Sequence, residues 1–150
     1  MDTKVLVSNL CKKHDTRDPF DIARQRKIIV VREPLGSIQG FYARSHRQQV
    51  IHINQSLDEH QQLFTCCHEL GHCIIHPDVS TPFLRAATLL SVDKLEIQAN
   101  KFAIDLMYDD AELLEALTWP VDQIANWMGV PVRYAKYRME RVEPRFLREP

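Results

Sequence analysis

The sequence predicts an α+β fold, in which a small three-stranded sheet packs on a helical bundle. Short β-branched or alternating runs, which are typical of strands, are confined to residues 27–54. Beyond them, apolar residues recur at intervals of three and four in residues 63–74 and 95–106, as expected for helices that bury one face. A chain of 150 residues fits one domain with a sizeable core. We therefore expect a single α+β domain that spans residues 1–150.

Composition narrows the classes of function. The chain has 19 basic and 20 acidic residues, which gives no general reason to expect binding to nucleic acid or to a membrane. Because there is no bilayer-length apolar run and no signal-peptide pattern, a cytoplasmic location is the default expectation. Three of the cysteines cluster in one predicted helix, so free thiols are expected, with Cys67 or Cys73 as a metal ligand the rarer alternative. The cysteines are Cys11, Cys66, Cys67 and Cys73.

The first 54 residues are predicted to hold two short helices followed by the sheet. Residues 3–13 have helical periodicity, and Val5, Leu6 and Leu10 are predicted to form their apolar side. Asp18 and Pro19 are typical of the N-cap and first position of a second helix. We expect the first strand to be buried, because it is a run of β-branched residues. The three strands are predicted over residues 27–32, 38–44 and 48–54.

Residues 57–76 are predicted to form a longer helix. Ser56 and Glu59 match a capping box, with the serine as N-cap and the glutamate at the third helical position. Pro77 disfavours helical geometry at the residue before it, so the helix should end there. Gly71 costs about 1 kcal/mol relative to alanine inside a helix. That cost indicates that another element packs closely against the helix at this point.

This helix carries the motif His68-Glu69-Leu70-Gly71-His72. Residues four apart lie about 40° apart around an α-helix, so His68 and His72 share one face and can bind one metal ion. Glu69 lies beside that face, where it can take a proton from a water activated by the metal. The same motif arises by chance on the polar faces of unrelated helices. Its weight therefore depends on a third ligand.

Glu96 is the candidate for that third ligand. A further amphipathic helix with Ser91 as N-cap is predicted after the motif helix, and in it Glu96 and Asn100 share one side. It is predicted by the spacing of Leu95, Ala99, Phe102, Ala103 and Leu106. Small alanine residues flank that side and would let the two helices pack closely. A catalytic zinc has three protein ligands and an open position, so Glu96 would complete a His-His-Glu set for Zn²⁺, with Mn²⁺ as the alternative ion. The other interpretation is a solvated acid in the first helical turn.

Three further residues are candidates for stabilising an oxyanion: His76, Tyr42 and Tyr108. His76 has two alternative interpretations, as a partner of a metal ligand or simply as the polar end of a helix.

Residues 119–143 are spaced like a helix-turn-helix, with a turn at Gly129-Val130-Pro131. Basic residues outnumber acidic ones in residues 131–150, so DNA binding is a rival interpretation. Against it, the second helix of this pair carries Tyr134 and Tyr137 and has few side-chain donors suited to base edges. A packing unit or a protein-docking surface is favoured.

Short motifs along most of the chain form an ordered set. In chain order they are Asp18-Pro19-Phe20, Leu35-Gly36, Gly40-Phe41-Tyr42, His68-Glu69-Leu70-Gly71-His72, Thr81-Pro82-Phe83-Leu84-Arg85, Glu96 with Ala99-Asn100, and Gly129-Val130-Pro131. This set resembles the ImmA/IrrE family of metallo-endopeptidases, and most of all its ImmA-type members from phages and mobile elements.

The resemblance implies a zincin-like fold and zinc-dependent cleavage of a helix-turn-helix repressor of the Xre type, which relieves repression of a mobile element or stress regulon. It assigns His68 and His72 as ligands, Glu69 as the base and Glu96 as the third ligand. Two alternatives remain: a regulatory or toxin-type partner that binds a repressor without cutting it, and a DNA-binding protein with a structural metal. The sheet over residues 38–54 is expected to hold an extended substrate segment by strand pairing.

Overall fold

The computed structural model describes residues 1–80 and 82–143, and it confirms the α+β fold. The chain divides into two compact units, Met1–Met107 and a second that begins at Tyr108. The prediction of one domain over the whole chain stays a prediction. The first unit holds α1 (Thr3–His14), α2 (Pro19–Gln25), β1 (Ile29–Glu33), β2 (Gly40–Ser45), β3 (Gln48–Asn54), α3 (Glu59–Ile75), α4 (Arg85–Leu89) and α5 (Lys94–Met107).

The sheet has the strand order β1-β3-β2 in the described part of the chain. The central strand β3 pairs in parallel with β1 and antiparallel with β2. The turn between β2 and β3 has positive φ at His46 and Arg47, the geometry that matches the twist of a hairpin. Because β1 lies at an edge, Ile29 is 48% exposed, and the prediction of a buried first strand is wrong.

The N-terminal helices form close to where they are predicted. Asp18 caps α2, with Pro19 in its first turn, as the sequence predicts. On α1 the buried apolar residues are Val7 and Leu10, whereas Val5 is exposed, so the predicted apolar side is right at Leu10 and wrong at Val5.

The N-terminal ends of α3 and α5 are capped by aspartates and not by the predicted serines. Asp58 accepts from the Gln61 N–H at 2.8 Å, and the two residues form the capping box of α3. Ser56 is not the cap because its N–H and hydroxyl both donate to Asn54. At α5, Asp93 accepts from the backbone N–H groups of the second and third helical residues, and the Ser91 hydroxyl accepts from the Asp93 N–H.

Two glycines let other elements approach α3. A Cβ on Gly40 of β2 would lie 2.5 Å from Cγ2 of Thr65 on α3, which brings the sheet against this helix. A Cβ on Gly71 would lie 3.0 Å from Cδ1 of Phe102 on α5. The close approach predicted at Gly71 is therefore confirmed, and α3 is sandwiched between the sheet and α5.

The outer edge of β2 is partly covered by the chain itself. Phe83 and Gly40 form an isolated antiparallel bridge, in which the Phe83 N–H donates to the Gly40 carbonyl at 2.7 Å. The Ser80 hydroxyl donates to the Tyr42 carbonyl on the same edge. Thr81, part of one quoted motif, lies outside the described residues.

The second unit contains the predicted pair of helices, α7 (Val121–Met128) and α8 (Val132–Glu140), preceded by α6 (Asp110–Leu113) and a 3₁₀ turn. Gly129 closes α7 with a φ of 72°. The Arg138 side chain is buried and donates to Asp110 and to the Tyr108 carbonyl, both at 2.7 Å. Residues 144–150, which belong to the basic stretch that made DNA binding a rival interpretation, lie outside the described residues.

No helix in the described ranges combines the length and apolar composition that crossing a membrane requires.

Candidate metal centre

The motif helix α3 runs through the core, and every residue from Phe64 to Cys73 is buried. His68 and His72 are each 1% exposed, and their rings meet edge to face with centroids 4.8 Å apart. The Phe83 ring lies 4.5 Å from the His68 ring, centroid to centroid. The predicted helical spacing thus places both imidazoles on one buried face, with an aromatic ring beside them.

The helix α5 brings a carboxylate to the two imidazoles of α3. Glu96 lies in the first turn of α5, and α5 can approach because Gly71 leaves room for Phe102. Oε1 of Glu96 lies 2.7 Å from Nε2 of His72, and its Oε2 lies 3.5 Å from Nε2 of His68. Candidate ligand atoms of all three residues lie within 4.8 Å of one another. Two imidazole nitrogens and one carboxylate oxygen are a donor set suited to a divalent metal.

The electrostatics of this group favour the forms of the side chains that bind metal. Burial alone would raise the pKa of Glu96, but hydrogen bonds with His68 and His72 outweigh it and hold the pKa at about 2. Burial lowers the pKa of His68. At neutral pH the group therefore contains an ionised carboxylate beside a neutral His68, as metal ligation requires.

Glu69 is the most unusual acid in the described part of the chain. It is 0% exposed, and neither carboxylate oxygen has a hydrogen-bond partner among the described residues. Burial, and then the nearby charge of Glu96, raise the pKa of Glu69 well above its ordinary value. A buried carboxyl group without a partner destabilises a fold. Its presence one residue from His68 is explained by chemistry better than by packing.

The other candidates have other contacts. The buried Tyr42 hydroxyl donates to the Pro77 carbonyl at 2.5 Å and accepts from Nε2 of Gln49 at 3.0 Å. Burial raises the pKa of Tyr42. Tyr108 lies in the second unit, where its ring packs against Trp127 with centroids 5.1 Å apart. A role for either tyrosine at an oxyanion stays a prediction.

His76 lies beside the metal group, although it is not part of it. Nδ1 of His76 lies 3.1 Å from Nδ1 of His72, and its Nε2 lies 2.7 Å from Oε1 of Gln98. Sequence reasoning missed Gln98, because a residue two positions after Glu96 does not share its helical face.

The cysteines stay outside the group. All four thiols are free, and Cys66, Cys67 and Cys73 are buried on α3. Burial raises the pKa of each of these three. The group of His68, His72 and Glu96 contains no cysteine.

Comparisons with known proteins identify the family of this chain. The model of the peptidase M78 family, described as the IrrE N-terminal-like domain, matches residues 23–140. The chain is 38% identical over 135 residues to "Uncharacterized immunity region protein 2" of Bacillus phage phi105, which covers 88% of this chain and 85% of that protein. It is 33% identical over 142 residues to "Metallopeptidase ImmA" of Bacillus subtilis (strain 168), with coverage of 91% and 83%. The match spans the two histidines, the buried acid between them and Glu96, and on this ground the chain belongs to the peptidase M78 family of metallopeptidases, with its IrrE N-terminal-like domain.

Proposed function

We propose that this protein is a zinc-dependent endopeptidase that cleaves a helix-turn-helix repressor. The observation that carries the proposal is the buried carboxyl group of Glu69, which has no hydrogen-bond partner in the described ranges and lies next to the converging side chains of His68, His72 and Glu96. A structural zinc is usually enclosed by four protein ligands, whereas three ligands with an acid beside them favour catalysis. Mn²⁺ is the alternative ion for the same donors.

The residues divide the chemical work. His68, His72 and Glu96 would hold the metal, and zinc bound there supplies a Lewis acid that activates water and polarises the scissile carbonyl. Glu69 accepts the proton of the attacking water and passes it to the leaving amine. Because Glu69 has no hydrogen-bond partner among the described residues, no other contact competes for the oxygens that take up this proton. A cation held by the neighbouring ligands would favour the ionised form of Glu69, which is the form that accepts it.

The proposed substrate is a repressor with a helix-turn-helix domain, encoded near this gene and met in the cytoplasm. The printed name of the phage relative, an immunity region protein, supports this setting. A helix hides its carbonyls in its own hydrogen bonds, so the cut should lie in a linker or in a helix that unfolds locally.

The substrate segment would dock by strand pairing, and the strand order indicates where. β3 is bonded on both sides, so it offers no free edge. β2 is the edge strand that packs on α3, the helix that carries His68 and His72. We place the docking edge on β2, beyond the bridge between Gly40 and Phe83.

Co-expression with the neighbouring repressor tests the function directly. Mass spectrometry should find two repressor fragments, whose junction lies in a segment with fast amide exchange. The same strain with Glu69→Gln should leave the repressor intact. An intact repressor that co-purifies with the wild-type protein would contradict cleavage and support the non-cutting regulator or toxin-type partner.

A further inference from the structure

The side chains of His72, His76 and Gln98 form a line from the metal group to α5. It runs from Nδ1 of His72 to Nδ1 of His76, 3.1 Å away, and from Nε2 of His76 to Oε1 of Gln98, 2.7 Å away. His76 leaves the helical conformation just before Pro77, with φ −127° and ψ 57°. The Pro77 carbonyl accepts from Tyr42 on β2, which fixes this corner against the sheet.

The positions of the hydrogens in this line follow from its last atom. An amide oxygen only accepts, so Nε2 of His76 carries the hydrogen. The Nδ1 atom of a neutral His76 is then an acceptor, and it receives the hydrogen on Nδ1 of His72. With its hydrogen on Nδ1, a neutral His72 has its lone pair on Nε2, the atom that lies 2.7 Å from Oε1 of Glu96. A cation held there would take the place of the hydrogen bond that joins these two atoms in the metal-free protein.

We propose that His76 and Gln98 are positioning residues, which hold His72 in the tautomer whose Nε2 can bind a metal. The opposite tautomer would direct an N–H from Nε2 into the site and could not ligate. The inference deepens the proposed function, on which it rests for the identity of the cation. Partners of this kind orient ligating histidines, and their loss typically lowers metal affinity about 10–100-fold.

The direct test is the ¹⁵N chemical shifts of the histidine ring nitrogens, assigned with a His76→Gln variant. Metal-free and zinc-loaded protein should both show His76 with its hydrogen on Nε2, and the zinc-loaded protein should show His72 with its hydrogen on Nδ1. A His76 that carries hydrogen on Nδ1, or on both nitrogens, would overturn the inference. A protein that binds no zinc would overturn the proposed function, while the shifts of the metal-free form still decide the tautomers.

A series of substitutions at Gln98 tests the same point through zinc affinity, measured by competition with a chelator. Gln98→Glu keeps an acceptor and should bind zinc at least as tightly as wild type. Gln98→Met removes the acceptor and should bind about 10–100-fold more weakly. Gln98→Lys supplies a donor and should bind most weakly. Ile97→Lys adds the same charge one position away and is the control for charge.

His76 gives a second comparison, in which His76→Gln keeps an acceptor for His72 and His76→Leu does not. We expect His76→Leu to bind zinc more weakly than His76→Gln. We also expect the two variants to have the same melting temperature, so that the difference in affinity does not reflect a difference in folding. Equal zinc affinity in Gln98→Met and Gln98→Glu, or in the two His76 variants, would show that the line has only a structural role.

Discussion

A single carboxylate, that of Glu96, lies 2.7 Å from Nε2 of His72 and 3.5 Å from Nε2 of His68. Glu96 reaches both imidazoles from a different helix. Removing it should therefore weaken the metal site and leave the motif helix in place. We expect Glu96→Ala to lose zinc on dialysis and to keep the wild-type circular dichroism spectrum. Full zinc occupancy would point to His76 or a cysteine as third ligand.

Glu69→Gln should separate metal binding from catalysis. The amide keeps the shape of the side chain but cannot accept the proton of the attacking water, and general-base catalysis is worth about 10²–10⁴-fold in rate. We expect a zinc content close to wild type and a loss of cleavage of that size, measured with purified repressor. Wild-type turnover would contradict the role assigned to Glu69.

Gly71→Ala tests the packing that delivers Glu96. The new Cβ would lie 3.0 Å from Cδ1 and 3.2 Å from Cβ of Phe102, which is fully buried and has little room to move. Overpacking of this kind costs about 1–3 kcal/mol, against a gain of about 1 kcal/mol in helix propensity. We expect lower stability in urea and weaker zinc binding.

Adding Phe102→Leu to Gly71→Ala is the matched control. The smaller side chain makes room for the new Cβ, so part of the lost zinc affinity should return. If Gly71→Ala alone is as stable and binds zinc as well as wild type, α5 does not depend on this contact.

A proline on β2 tests the docking of the substrate. A proline in β3 would remove a ladder bond on one of its two sides and damage the sheet, so Gln48–Asn54 is not the place for this test. On β2 the carbonyls of Gly40 and Tyr42 point away from β3, and by alternation the Arg44 N–H does too. We expect Arg44→Pro to impair cleavage more than zinc binding.

Arg44→Ala is the control for that experiment, because it removes the side chain and its contact with Asp78 while it keeps the backbone N–H. Equal cleavage by the alanine and proline variants would show that the substrate does not pair with this edge.

The helical pair of the second unit should not bind DNA specifically. Arg138, on the helix that would read bases, is buried and donates to Asp110 and to the Tyr108 carbonyl. With a formal net charge of −1, the chain has little general attraction for phosphates. We expect no sequence-specific gel shift at physiological salt; a shift that resists added salt would favour the DNA-binding alternative.

The sequence predicts well those features of the fold that depend on residues close together in the chain. The spacing of His68 and His72 and the helix end before Pro77 depend on residues within one or two turns. The cost of Gly71 indicated a close neighbour but could not name Phe102, which lies on another helix. Caps were misassigned where two suitable residues compete, as Ser56 and Asp58 do, because a tertiary contact decides which side chain is available.

Strand order is a different kind of property, because it depends on contacts that leave no periodic trace. Nothing in the run Ile28–Val31 distinguishes an edge strand from a central one, so the sequence predicts the burial of Ile28 correctly and misses the exposure of Ile29. The pairing of Gly40 with Phe83 joins residues from separate parts of the chain and has no local signal either. The same holds for Gln98 on α5, whose partner His76 lies just after the C-terminal end of α3.

The bridge between Gly40 and Phe83 occupies part of the edge of β2 with a segment of the same chain. An extended peptide that pairs with β2 at Gly40 must first displace a segment that is permanently tethered beside it. Such an intramolecular ligand acts at a high effective concentration, in the millimolar range for short tethers. A peptide that pairs with β2 only beyond the bridge avoids this competition. Pairing that extended to Gly40 would have to exceed this internal concentration or bind more tightly than Phe83, whose ring lies against His68. We therefore expect a free peptide to leave the bridge at Gly40 in place, and only a segment held by further contacts of its own protein to replace Phe83 there.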